Sequence, residues 1–209
     1  DDELVIIHDN SLERTTLATG EVRLTDSAAL ARINATQRAF PEWPEIGGVP
    51  ALRDVMALLH DFEHIQFEVK AANEADCLTV ARKFPALWRE FGFGNRAFTT
   101  SFNPRYLQLV REAAPEIPRG FLFEQDYPGN PVERALDLGC LALGPHQSRC
   151  DPALVQAAHE AGLIVATWTV NEVARMHDLA RMGLDGLITD FPARALREAG
   201  DLFEQEETA

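Results

Sequence analysis

The sequence predicts an α/β protein whose parallel strands curl into a TIM-type (β/α)8 barrel, and three observations carry that expectation. Short apolar, β-branched runs alternate with longer stretches at helical spacing, the pattern of repeated βα units on a parallel sheet. Nearly every apolar run ends in a polar or chemically special residue, and a parallel barrel gathers such residues at the C-terminal ends of its strands, where active sites lie. The chain also lacks the glycine-rich phosphate loop that often marks a doubly wound open sheet, which is the second choice.

The first strand candidate is Leu4–His8, an apolar run closed by His8-Asp9. Residues 41–50, with three prolines and the Gly47-Gly48 pair, read as an irregular connector. Ile65–Lys70 alternates strictly, so Gln66, Glu68 and Lys70 share one face and three apolar side chains the other. Further strands are expected at Ala97–Phe102, Gly120–Glu124, Cys140–Gly144, Leu163–Thr169 and Gly186–Asp190. Helical periodicity runs over Asp76–Trp88, Pro104–Ala114, Pro131–Leu138, Pro152–Ala161 and Glu172–Met182. Asn103-Pro104, Asn130-Pro131 and Asp151-Pro152 each set a capping side chain before a proline that the first helical position tolerates. Gly162 and Gly183 suit helix C-termini. One domain over residues 1–200 is expected, followed by a polar, acidic tail at 201–209.

Composition narrows the function. A formal charge of −14 opposes a nucleic-acid partner, because such binders concentrate Lys and Arg on phosphates. No apolar run is long enough to span a membrane. The three cysteines, Cys77, Cys140 and Cys150, are odd in number and widely spaced, which excludes a disulfide framework and predicts buried, reduced thiols.

Several strand ends can carry chemistry. His8 would emerge from its run at a rim, placed for general acid or base work. The Gln66, Glu68 and Lys70 face must be wet or occupied. Either Glu68 and Lys70 form a plain ion pair, or Glu68 is a carboxylate ligand for a hard divalent ion beside a lysine that meets phosphate. Thr100-Ser101-Phe102 and Trp168-Thr169-Val170-Asn171 set aromatic rings beside small polar groups, like the wall of a small-molecule pocket.

Six motifs in order then make a resemblance. Residues 5–16, containing His8-Asp9, Leu12 and Arg14-Thr15-Thr16, resemble the H-D-x-x-L-x-R-T-T signature of glycerophosphodiester phosphodiesterases. Gly48-Val49-Pro50-Ala51-Leu52 is similar to the family's G-I-P-T-L, with Ala51 in place of the usual Thr. Phe67-Glu68-Val69-Lys70 resembles I-E-I-K, Thr100-Ser101-Phe102 resembles S-S-F, Trp168 to Asn171 matches W-T-V-N, and residues 183–192 resemble G-V-D-G-I-I-T-D-Y-P.

The resemblance implies a bacterial-type phosphodiesterase without a large insertion. It would hydrolyse glycerophosphodiesters to sn-glycerol 3-phosphate and an alcohol with a divalent ion, Mg2+ or Ca2+. By this resemblance His8 is one of two catalytic histidines, Glu68 a metal ligand, Lys70 a phosphate contact, and Phe102 and Trp168 the pocket lining. Asn171 and Asp190 are expected to be structural, and His146 is assigned no catalytic part. The family's opening H-R-G strand and E-x-D-V metal pair are not present, so an N-terminally truncated barrel lacking its first two strands is expected. The rivals are an inactive barrel serving as a binding module and a lysophospholipase-D-like enzyme. A small soluble diester substrate and a cytoplasmic location complete the expectation.

Overall fold

The computed structural model describes residues 1–45 and 47–203, the last five as helical backbone only. Its centre is one sheet of six parallel strands in the order β1-β2-β3-β4-β5-β6, curled into a half-barrel. The strands are β1 (Ile65–Glu68), β2 (Ala97–Ser101), β3 (Arg119–Phe123), β4 (Ala142–Pro145), β5 (Ile164–Thr167) and β6 (Gly186–Leu187). Each neighbour in space is the neighbour in sequence. That order has no reversal and hence no switch point, which removes the doubly wound alternative.

The helices follow the strands. α1 (Ser27–Leu30) and α2 (Leu52–Met56) are short and precede the sheet. α3 (Glu74–Phe91), α4 (Pro104–Ala113), α5 (Pro131–Asp137), α6 (Pro152–Glu160) and α7 (Val173–Arg181) are the crossovers, and α8 (Pro192–Phe203) closes the described chain. The caps fall where the sequence places them. Asn103 accepts from the Arg105 N–H, Asn130 from those of Val132 and Glu133, and Asp151 from that of Leu154. Gly162 and Gly183 have φ of +75° and +79°, the left-handed conformation that ends a helix at least cost in glycine. The expected tail begins inside α8, and residues 204–209 of it lie outside the described residues.

Leu4–His8 is not a strand. It makes one antiparallel bridge, Val5 with Ala51, flanked by bonds from the Ile6 N–H to the Pro50 carbonyl (2.9 Å) and from the Leu52 N–H to the Leu4 carbonyl (2.7 Å). An apolar run becomes a strand only where a long partner pairs with it, and here the partner turns at once into α2. The Gly48 in that partner is required by a close approach, since a Cβ there would sit 1.9 Å from the Ala31 carbonyl oxygen. β1, β2, β5 and β6 stop one to three residues before their expected ends, because ladder bonds stop where the chain leaves for the rim loops, whereas β3 keeps its length one residue earlier and β4 starts two residues later and ends one later.

Register sorts the side chains into two layers. Phe67 packs outward, edge-on to Phe84 and Trp88 of α3 with ring centroids 5.5 and 6.1 Å away. Thr99 also points outward, its hydroxyl 3.0 Å from that of the fully buried Tyr106 on α4. The alternate residues therefore face the concave side: Gln66 and Glu68 on β1, Thr100 on β2, Gly120 on β3, Ala142 on β4. Gln66 confirms the direction by donating to the Thr100 hydroxyl at 2.9 Å. Small residues recur on this face because the strands converge, and a Cβ on Gly144 would lie 2.3 Å from the Leu122 side chain.

Candidate active site

A cavity of about 570 Å3 opens beside β1, between the N-terminal segment and α3. Its lining includes His8, Asp9, Gln66, Glu68 and Lys70, so the structure brings together three of the five side chains singled out from sequence. The alternation along β1 delivers Gln66 and Glu68 to the concave face, and Lys70 follows past the strand end. Lys70 Nζ lies 2.8 Å from Glu68 Oε1, with both side chains a little over a quarter exposed. Glu68 and Lys70 thus form an ion pair in this structure.

His8 stands in the loop that follows the Val5 bridge. Its Nδ1 lies 2.6 Å from Asp9 Oδ1. Arg14 clamps the same carboxylate from the other side, its Nη2 donating to Oδ1 at 3.0 Å and its Nε donating to Oδ2. Arg14 first and His8 second hold the Asp9 carboxyl down at about 2, well below the usual 3.8. A carboxylate that stays ionised accepts the Nδ1–H, which fixes the ring and leaves Nε2 available for proton transfer. Asp9 and Arg14 were visible in the motif but were given no role there.

Phe102 and Trp168 do not line that cavity. They form a second wall at the strand ends, after β2 and β5, with ring centroids 5.2 Å apart and planes at 87°. Trp168 is anchored by its indole N–H, which donates to the Gly144 carbonyl at 3.0 Å. Asn171 and Asp190 tie loops together. Asn171 donates to Asp190 Oδ2 at 2.8 Å and accepts from the Thr189 hydroxyl and the Asp190 N–H, each at 3.1 Å.

The metal expectation meets a limit in this geometry. Among the described residues, no three His, Cys, Asp or Glu side chains converge as a metal site. Glu68 supplies one carboxylate, and Mg2+ or Ca2+ takes about six or more oxygens. These residues alone do not fit a divalent ion.

The comparisons with known proteins bear on the whole chain. Residues 1–194 match the Glycerophosphoryl diester phosphodiesterase family. The chain belongs to that family. A glycerophosphodiester phosphodiesterase of Caldanaerobacter subterraneus is 28% identical over 193 residues, covering 92% of this chain and 78% of that one. An Oleispira antarctica phosphodiesterase, solved in complex with the product sn-glycerol-3-phosphate, superposes with a TM-score of 0.87 at 24% identity over 95% of this chain and 80% of that one. A glycerophosphodiester phosphodiesterase from Agrobacterium tumefaciens gives 0.76 at 23% identity, over 96% and 80%. These structural likenesses establish the barrel-type fold. Membership of the family makes this an enzyme-family chain. No helix among the described residues is long and apolar enough to cross a membrane.

Proposed function

We propose that the protein hydrolyses a glycerophosphodiester to sn-glycerol 3-phosphate and an alcohol, with His8 as general acid or base. The observation that carries this reading is the convergence of His8, Glu68 and Lys70 on one cavity in a chain of this family. Asp9 keeps His8 with Nδ1 protonated, so Nε2 exchanges a proton with the attacking water or the departing alkoxide. Lys70 donates to the phosphate oxygens as a point charge, in competition with its present partner Glu68. Phe102 and Trp168 shelter an organic arm of the diester.

Completion of the barrel is part of the same proposal. Among the described residues the outer edges of β1 and β6 have no strand partner, and two further strands between them would give eight. Mg2+ or Ca2+ stays an expectation of the family resemblance, and of its oxygen ligands Glu68 is the one carboxylate the resemblance assigns among the described residues. We also place the protein in the cytoplasm, because Cys77, Cys140 and Cys150 are buried and unpaired, as a reducing compartment leaves them.

One observation favours a second reading, a binding module without catalysis. Among the described residues lining the cavity, His8 is the one histidine, whereas proton traffic at a phosphodiester uses both an acid and a base. The deciding experiment follows glycerol 3-phosphate release from glycerophosphocholine by the full-length protein, with Mg2+, Ca2+ or EDTA. Release that EDTA abolishes supports hydrolysis. Absence of release with either ion, alongside retained binding of sn-glycerol 3-phosphate, supports the module.

A further inference from the structure

His146 lies on the concave row of side chains just past the C-terminal end of β4, and neither the cavity nor the proposed reaction uses it. It follows β4 directly, two residues beyond Gly144 on the concave face, and a parallel bridge pairs it with Trp168. Its ring stands edge-on to the Trp168 indole, centroids 5.1 Å apart and planes at 83°. Phe102 meets the same indole. The three rings therefore form one wall across the ends of β2, β4 and β5.

The imidazole is oriented from behind. The Ser148 backbone N–H donates to Nδ1 at 3.3 Å, and the Ser148 hydroxyl lies 2.8 Å from the same atom. A backbone N–H can only donate, so Nδ1 is an acceptor and the ring proton sits on Nε2. That Nε2–H, on the opposite side of the ring from Ser148, has no protein partner among the described residues. An aromatic wall with one fixed, unused donor suits an uncharged oxygen on an otherwise apolar contact surface. In a glycerophosphodiester the uncharged oxygens that accept well are the free hydroxyls, the bridging ester oxygens being weak acceptors.

We propose that His146 is a substrate-binding residue that donates Nε2–H to a hydroxyl oxygen of the diester, and so contributes to which alcohol the site holds. The inference rests on the proposed function, because it needs a diester in this mouth. Both the glycerol arm and a polyol leaving group offer that hydroxyl, and the test separates them.

The full-length protein is titrated calorimetrically with sn-glycerol 3-phosphate and with methyl phosphate, which has the phosphate without the glycerol hydroxyls. His146→Phe keeps a ring edge against Trp168 and removes the donor, and His146→Gln restores a donor. One neutral hydrogen bond predicts about 5- to 10-fold weaker sn-glycerol 3-phosphate binding in the Phe variant. Methyl phosphate should stay within about twofold, and the Gln variant should recover part of the loss. If the hydroxyl belongs to the leaving group, the loss moves to the KM for glycerophosphoglycerol, with glycerophosphocholine unaffected. Equal weakening of sn-glycerol 3-phosphate and methyl phosphate, or no loss for any ligand, overturns the proposal. A wild-type protein that binds neither ligand refutes the function reading itself.

Discussion

Asp9→Asn is the most direct probe of how this site is built. The Asp9 carboxyl falls from 3.8 to about 2 because Arg14 and His8 stabilise its ionised form. At ~1.4 kcal/mol per pKa unit this corresponds to about 2.5 kcal/mol before screening. The Asp9 side chain is 22% exposed and Arg14 60%, so solvent reduces the net contribution to about 1 kcal/mol. The sign follows from a depressed folded pKa. The stabilisation is fully present above about pH 4 and is lost as pH falls towards 2. The Asp9→Asn substitution should therefore cost about 1 kcal/mol in urea unfolding at pH 7, with the difference shrinking below about pH 4.

The catalytic effect should be larger than the stability effect. A fully buried aspartate behind a catalytic histidine is worth about 10^4-fold in turnover. Asp9 is partly solvated and Arg14 remains, so kcat should drop about 10- to 100-fold. KM should stay within about twofold, because Asp9 touches His8 rather than substrate. The assay is initial-rate glycerol 3-phosphate release at saturating diester. A kcat within twofold of wild type, in a variant with the expected stability loss, would refute the view that Asp9 orients His8.

Three further outcomes are expected. Glu68→Gln frees Lys70, so inorganic phosphate should bind more tightly in EDTA if Glu68 is only its ion-pair partner; if Glu68 ligates a metal, activation by Mg2+ or Ca2+ should weaken at least about tenfold. Ala51 occupies the N-cap of α2 with extended φ and ψ and no side-chain cap bond, so Ala51→Thr should stabilise by about 1 kcal/mol in urea unfolding. Burial pushes the Cys140 thiol up to about 12 and the Cys150 thiol up to about 11, and raises that of Cys77 as well. Native protein at pH 8 should leave a thiol reagent such as DTNB unreacted while the unfolded chain titrates all three cysteines. Because unfolded thiols ionise first, stability should decline as pH rises from about 9.

The fold was legible where local chemistry and partner agreed. Six strands, their sequential order and the three Asn or Asp caps before proline followed from periodicity and the chain's own punctuation. Leu4–His8 failed for a reason periodicity cannot contain. A strand is a property of two segments, and the partner at Pro50 to Leu52 spends its residues starting a helix. The site divides in the same way. Glu68 and Lys70 were readable because alternation along β1, carried two residues past its end, puts both on one side.

The clamp on Asp9 was not readable, since Arg14 reaches it through a loop where spacing carries no geometry. His146 is the intermediate case. The signal was present in the alternation of Ala142, Gly144 and His146, all on the concave row, but without the register to Leu122 and Trp168 nothing said which face that row occupied. Gly144 resolves the matter physically: its missing Cβ makes room for Leu122, its carbonyl holds Trp168, and the next residue on that face is the histidine whose ring the indole packs against. A single inward glycine thus sets the height of the wall that an organic arm of the substrate would meet.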